Sequence, residues 1–173
     1  AYWTTGKVGM IGTSYNGTIP FAAATTGVEG LEEIIPVSPN NSYYHYYLSN
    51  GLVRSPGGYL GEDVDVLYDF IHSNPENCAY CDSVYKKITI QGNIDRKTGD
   101  YNNFWAERDL MNYMKDFKAA TLMAHGFNDW NVMISHSSRF IKVLEEKSVP
   151  LQSYFHQGGH GGAPPLALMN KWF

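Results

Sequence analysis

Ser14, Asp129 and His160 have the residue types and the chain order that nucleophilic catalysis requires. A serine hydroxyl attacks poorly until a base takes its proton, and an imidazole serves best as that base when a carboxylate orients it. Ser14 lies in Gly12-Thr13-Ser14-Tyr15-Asn16-Gly17. This is the glycine–serine–glycine spacing of a nucleophile elbow, with the second glycine one residue later than in the commonest form. So tight a turn predicts a strained backbone at Ser14, and side chains at positions 12 and 17 would crowd it. The Tyr15 backbone N–H, next along the chain, is the expected oxyanion donor.

His160 stands in Gln157-Gly158-Gly159-His160-Gly161-Gly162, where small neighbours let the backbone present the ring. His45, His72 and His136 compete for the role of base. His125 and His156 fall at strand ends and read as satisfied core groups or as supports of the site. Asp129 is the best orienting acid, four residues beyond a strand end. The order Ser…Asp…His is that of the α/β-hydrolases.

The elements that must hold these groups follow from the apolar pattern. Val8–Thr13 reads as a buried parallel strand, and residues 14–17 as a sharp turn. Ile19–Thr26 reads as a helix closed by Gly27, with Pro20 acceptable only in its first turn. Leu31–Val37 is a second strand, which completes a βαβ unit. Order returns with a strand over Ala119–His125, a helix over about Met133–Lys147 and a strand over Leu151–His156. A last helix can start near Pro164. Alternation of this kind predicts an α/β fold: an open parallel sheet with flanking helices, and functional groups at the carboxyl ends of its strands. Residues 1–173 read as a partial α/β-hydrolase catalytic domain lacking its N-terminal strands. Residues 40–117, rich in Tyr, Asn, Asp and Gly, read as an inserted, partly helical, cap-like segment with helical pieces near Asp63–His72 and Phe104–Met114. With so few strands, and no earlier loop to give a second oxyanion donor, the chain is expected to be a fragment of a longer hydrolase.

Composition narrows the classes. Hydrophobic residues are 43% and charged residues 17%, the balance of a folded globular domain. A net charge of -4 and the lack of any basic stripe argue against nucleic acid and an anionic membrane surface as partners. No apolar run approaches the length of a membrane span. Two cysteines, in Cys78-Ala79-Tyr80-Cys81, lack the further ligands a zinc site needs, and that stretch reads as loop. The cluster Tyr43-Tyr44-His45-Tyr46-Tyr47 reads as core or as the wall of an aromatic pocket.

From Gly12 to Thr18 the chain resembles the Xaa-Pro dipeptidyl-peptidases of the S15 serine peptidase group, relatives of cocaine esterase and the α-amino-acid ester hydrolases. Ala23–Glu32, Asn50–Gly58, Gly61-Glu62-Asp63, Gly99–Asn102 and the run His125–Val132 match as well. The segments N-G-L-V-R-S-P-G-G and H-G-x-x-D-W-N-V belong to the peptidase branch, whereas the stretch after His160 matches only loosely. The resemblance implies an α/β-hydrolase fold and a serine exopeptidase that releases N-terminal Xaa-Pro dipeptides through an acyl-enzyme. Ser14, Asp129 and His160 would form its triad. A tyrosine from upstream would complete the oxyanion hole, and Glu62 would bind the substrate's free α-amino group. Tyr15, Tyr46, Trp130 and Val132 would line the proline pocket. Glu62 alternatively reads as a solvated acid beside Asp63, Asp65 and Asp69, or as a charge at a helix N-terminus.

No cofactor and no metal are expected. The expected partners are peptides with a penultimate proline, the expected location is cytoplasmic, and a homodimer of the full-length protein stays open. Two other readings stand beside this one: an esterase or acylase of the same superfamily, and an inactive excised fragment.

Overall fold

The structure is a computed structural model and describes residues 2–49, 52, 53, 64–72, 74 and 78–173. In chain order its elements begin with β1 (Val8–Thr13), α1 (Tyr15–Thr25) and β2 (Leu31–Val37). Next come α2 (Tyr43–Tyr47), the short strands β3 (Leu48–Ser49) and β4 (Leu52–Val53), α3 (Val64–Ile71) and α4 (Cys78–Cys81). A π-helical stretch (Asp82–Gln91), α5 (Asn103–Ala106) and a 3₁₀ helix (Leu110–Asp116) follow. The chain finishes with β5 (Ala120–Gly126), α6 (Ser135–Glu146), β6 (Leu151–His156) and α7 (Leu166–Trp172). Two compact units emerge: Ala1–Ser42 with Asp109–Phe173, and Tyr43–Arg108.

The first unit is built on a four-stranded sheet in the order β1-β2-β5-β6, every pair parallel. The apolar runs explain it. β2 and β5 are the inner strands, and side-chain alternation sends their residues to both faces. Ile34 and Met123 join one core with Phe21 and Ala24 of α1 and Phe140 and Leu144 of α6. Ile35, Val37, Leu122 and Ala124 join another with Leu168, Met169 and Trp172 of α7. Helices therefore cover both faces, and the fold is the α/β class that the alternating pattern predicts.

Two expectations about α1 need correction. The helix begins at Tyr15, so residues 15–17 are its first turn and not part of a loop. Ser14 alone makes the turn, with φ 61° and ψ -126°. Pro20 is then the sixth residue of the helix, beyond the first turn. Lacking an N–H, it leaves the Asn16 carbonyl without its usual helical donor, and that carbonyl lies where a side chain on Gly12 would stand.

The second unit gathers Tyr44, Tyr47, Leu48, Ile94, Phe104 and Trp105 into a core of its own. The tyrosine cluster is thus largely core. Residues 78–91, read as loop around the cysteines, are helical. Their supports are distant in sequence: Tyr68 donates to Asp82 (3.1 Å), Gln91 donates to Asp65 (3.1 Å), and Lys86 pairs with Asp69. Arg96 also pairs with Asp65 at 2.6 Å. A local reading of the sequence cannot see such pairs.

The packing of α6 yields a stability prediction. Phe140 is fully buried, edge-on to Phe21 (centroids 4.1 Å apart) and Phe117 (5.4 Å). Phe140→Ala removes the hub of this aromatic cluster and should destabilise the sheet unit by about 3–5 kcal/mol, read as a lower denaturant midpoint in the full natural polypeptide.

Candidate active site

The parallel sheet sets all three predicted residues just past the carboxyl ends of strands: Ser14 after β1, Asp129 after β5 and His160 after β6. In open α/β sheets, crevices form at this edge.

Ser14 is a non-glycine residue in the left-handed half of backbone space, a conformation that costs roughly 1–3 kcal/mol and persists only where neighbours enforce it. Its N–H donates to the Val37 carbonyl at the end of β2 (2.8 Å), and its carbonyl accepts from the N–H groups of Gly17 (2.8 Å) and Thr18 (2.9 Å). Gly17 must lack a side chain, because a Cβ there would meet the carbonyl oxygens of Gly12 and Val37 at 2.8 and 2.9 Å. The late second glycine of the motif is therefore a packing requirement. Tyr15 supplies the first N–H of α1, which has no acceptor within the helix, and anions favour such helix starts.

Asp129 is almost fully buried and every described partner is a donor. Oδ1 accepts from the backbone N–H groups of Asn131 and Val132, both at 2.9 Å. Oδ2 lies 2.8 Å from His160 Nδ1 and 3.1 Å from His125 Nε2. Burial by itself would raise this carboxyl. The hydrogen bonds from His125 and His160, electrostatic attraction to His160 and the Val132 N–H override it and hold the group below the usual carboxylate range.

With Nδ1–H directed at Asp129, His160 keeps its lone pair on Nε2. That atom is buried and has no hydrogen-bond partner among the described residues. An oriented imidazole with an unclaimed basic nitrogen is what a serine nucleophile needs. The glycines around His160 make its loop fit. Gly158 N–H donates to His156 Nδ1 (3.0 Å), and His156 Nε2–H donates to Gly161 O (2.9 Å), so the loop wraps the His156 ring. Gly161 N–H reaches Ser38 Oγ (3.3 Å), and a Cβ on Gly161 would lie 3.8 Å from the Thr13 methyl. The His160 loop therefore packs beside the residue preceding Ser14. On its other side, the loops after β5 and β6 are joined by Phe127 N–H to His156 O (2.8 Å) and Asn128 N–H to Gly158 O (3.1 Å).

The structure thus assembles Asp129 with His160 and sets Ser14 at the same edge. Val132 is buried and acts through its backbone, while Trp130 is 69% exposed on the Asp129 loop. Tyr46 belongs to the second unit, where its ring packs edge-on against Tyr47 (4.8 Å). Glu62 and the segment 54–63 lie outside the described residues. Ser38, which braces the His160 loop, and Ser137, which bonds His125, escaped the sequence reading because neither carries a local motif. Among the described residues, no group of three or more His, Cys, Asp or Glu could hold a metal ion, and no helix is long and apolar enough to cross a membrane.

The depressed Asp129 carboxyl gives a prediction about pH. A carboxyl lower in the folded than in the unfolded state contributes stability that is fully present above the unfolded value, about pH 4, and is lost as pH falls through the folded value. The denaturant midpoint of the natural polypeptide should therefore exceed that of Asp129→Asn at neutral pH, and the gap should shrink steadily below about pH 4.

Similar proteins extend this geometry. A family model described as X-Pro dipeptidyl-peptidase (S15 family) matches residues 1–162. A Rhodopirellula baltica protein is 64% identical over the whole chain, and a Bacillus anthracis protein 47%. Both carry the name "Putative Xaa-Pro dipeptidyl-peptidase". The chain spans only 28% and 29% of their lengths. Among solved structures, an acylaminoacyl peptidase from Pyrococcus horikoshii superposes with a TM-score of 0.60, covering 91% of this chain and 20% of that one. At 15% identity this likeness establishes a shared fold, the α/β-hydrolase type.

Proposed function

We propose a function from one premise: the chain belongs to the X-Pro dipeptidyl-peptidase family, S15. Within the full natural polypeptide, Ser14 is the nucleophile, His160 the base and Asp129 the orienting acid of a serine exopeptidase that releases N-terminal Xaa-Pro dipeptides. The observation that carries this reading is the 2.8 Å contact of His160 Nδ1 with Asp129 Oδ2, which leaves a buried, unpartnered Nε2 as the basic nitrogen.

The chemistry follows from those atoms. His160 Nε2 takes the Ser14 proton while Oγ bonds to the carbonyl carbon of the penultimate proline. The carbonyl oxygen becomes an oxyanion, stabilised by the Tyr15 N–H at the start of α1. The tetrahedral intermediate then breaks its C–N bond, and the imidazolium returns the proton to the leaving amine. Water, deprotonated by the same nitrogen, cleaves the resulting ester and frees the dipeptide. Glu62 contributes a charge-assisted contact to the substrate's α-ammonium group, which fixes the scissile bond two residues from the terminus. Trp130, exposed on the Asp129 loop, supplies aromatic surface for the proline ring.

The test is hydrolysis of Ala-Pro or Gly-Pro p-nitroanilide by the full natural polypeptide. Ser14→Ala should lower kcat by about 10⁶-fold, and retained turnover would refute the assignment. Glu62→Gln should raise KM for the free-amine substrate by about 10- to 100-fold while kcat holds. Unchanged KM, with equal turnover of N-blocked esters, would identify an esterase or acylase instead.

A further inference from the structure

We infer that His125 is a positioning residue: it fixes the Asp129 carboxylate so that Oδ2 can serve His160. This rests on the serine-hydrolase reading of Ser14, Asp129 and His160. His125 is fully buried near the end of β5, paired in register with Phe155 of β6. Its Nε2 lies 3.1 Å from Asp129 Oδ2 and 2.8 Å from the Val132 carbonyl. Both partners are acceptors, so Nε2 carries the hydrogen and shares it between them. Its Nδ1 lies 2.6 Å from Ser137 Oγ on α6, a hydroxyl also 3.1 Å from the Met123 thioether. An imidazole nitrogen accepts more strongly than a thioether, so the hydroxyl proton goes to Nδ1 and locks the ring.

The need for such a lock follows from where Asp129 stands. It lies on the loop between β5 and α6, and among the described residues its Oδ1 is held only by N–H groups of that same loop. Among the described residues, Oδ2 would otherwise be held by His160 alone, which is itself on a loop. His160 must pass a proton to the leaving group without dragging its carboxylate along. His125 ties Oδ2 to a strand of the sheet, and through Ser137 to a helix. A merely space-filling residue here could be apolar, since the side chain is fully buried and an imidazole must satisfy both nitrogens to be buried.

The experiment compares His125→Leu, His125→Gln and Ser137→Ala in the full natural polypeptide with Ala-Pro p-nitroanilide, with Ser14→Ala as the inactive control. Loss of the Oδ2 anchor misaligns the base and not substrate binding. His125→Leu should therefore lower kcat by about 100-fold with KM within about twofold. Glutamine places an amide N–H near the position of Nε2 and should recover most of that loss. A kcat for His125→Leu within about threefold of wild type, a KM that rises as kcat falls, or a folded His125→Gln as impaired as His125→Leu would overturn the inference. If His125→Leu does not fold, Ser137→Ala decides: it should lower kcat at constant KM, and an unchanged kcat overturns the inference. Activity surviving in Ser14→Ala would instead sink the hydrolase reading itself.

Discussion

A carboxylate taken out of water must be repaid with donors, and among the described residues Asp129 receives four: two backbone N–H groups on Oδ1 and two imidazoles on Oδ2. The rest of the unit is arranged around that demand. Pairing Gly126 with His156 brings the ends of β5 and β6 level, so the Asp129 loop and the His160 loop leave the sheet side by side. Gly126 must be bare, because the carbonyls of Gly158 and Gly159 occupy the space a Cβ would need. The glycine of His125-Gly126-Phe127-Asn128-Asp129 is thus a condition for the two loops to touch.

The proposed nucleophile is positioned by a different device. Ser14 has no capping side-chain bond and sits in strained backbone. The strain is held by the central strand, since Ser14 donates to Val37 O while Ser38 N–H donates to Ala124 O. Each strand end therefore braces the next across β1, β2 and β5. Ser38, itself at φ 47° and fully buried, passes the brace on to the Gly161 N–H. A strained serine and a glycine-rich histidine loop are each soft features, and their register comes from the parallel ladder between them.

Much of this was legible in the sequence because the signals were local. Val8–Thr13, Leu31–Val37 and Leu151–His156 are short apolar runs bounded by turn residues, and they form strands over those same spans. The positions of Ser14, Asp129 and His160 past strand ends followed from that. What was not legible depends on groups far apart in the chain. The helix through Cys78–Gln91 leans on Asp65, Asp69 and Tyr68, and the early start of α1 reflects a turn completed by one residue where a local reading allots four. Ser38 and Ser137 have no motif at all, and their roles exist only once β2 and α6 are packed beside the loops they bond.

The two histidines on Asp129 pose one last question: which of them fits the role of the proposed base. From the carboxylate they are nearly equivalent, each presenting one nitrogen to Oδ2. They differ at the far nitrogen. In His125 that atom is Nδ1, taken up by Ser137 Oγ at 2.6 Å in a fully buried setting. In His160 it is Nε2, buried and unpartnered among the described residues, on a loop that packs beside the elbow. A base needs a lone pair that nothing else claims. Of the two, His160 alone has it, so hydrogen-bond satisfaction at the nitrogens facing away from Asp129 supports the proposed roles of His160 as base and His125 as support.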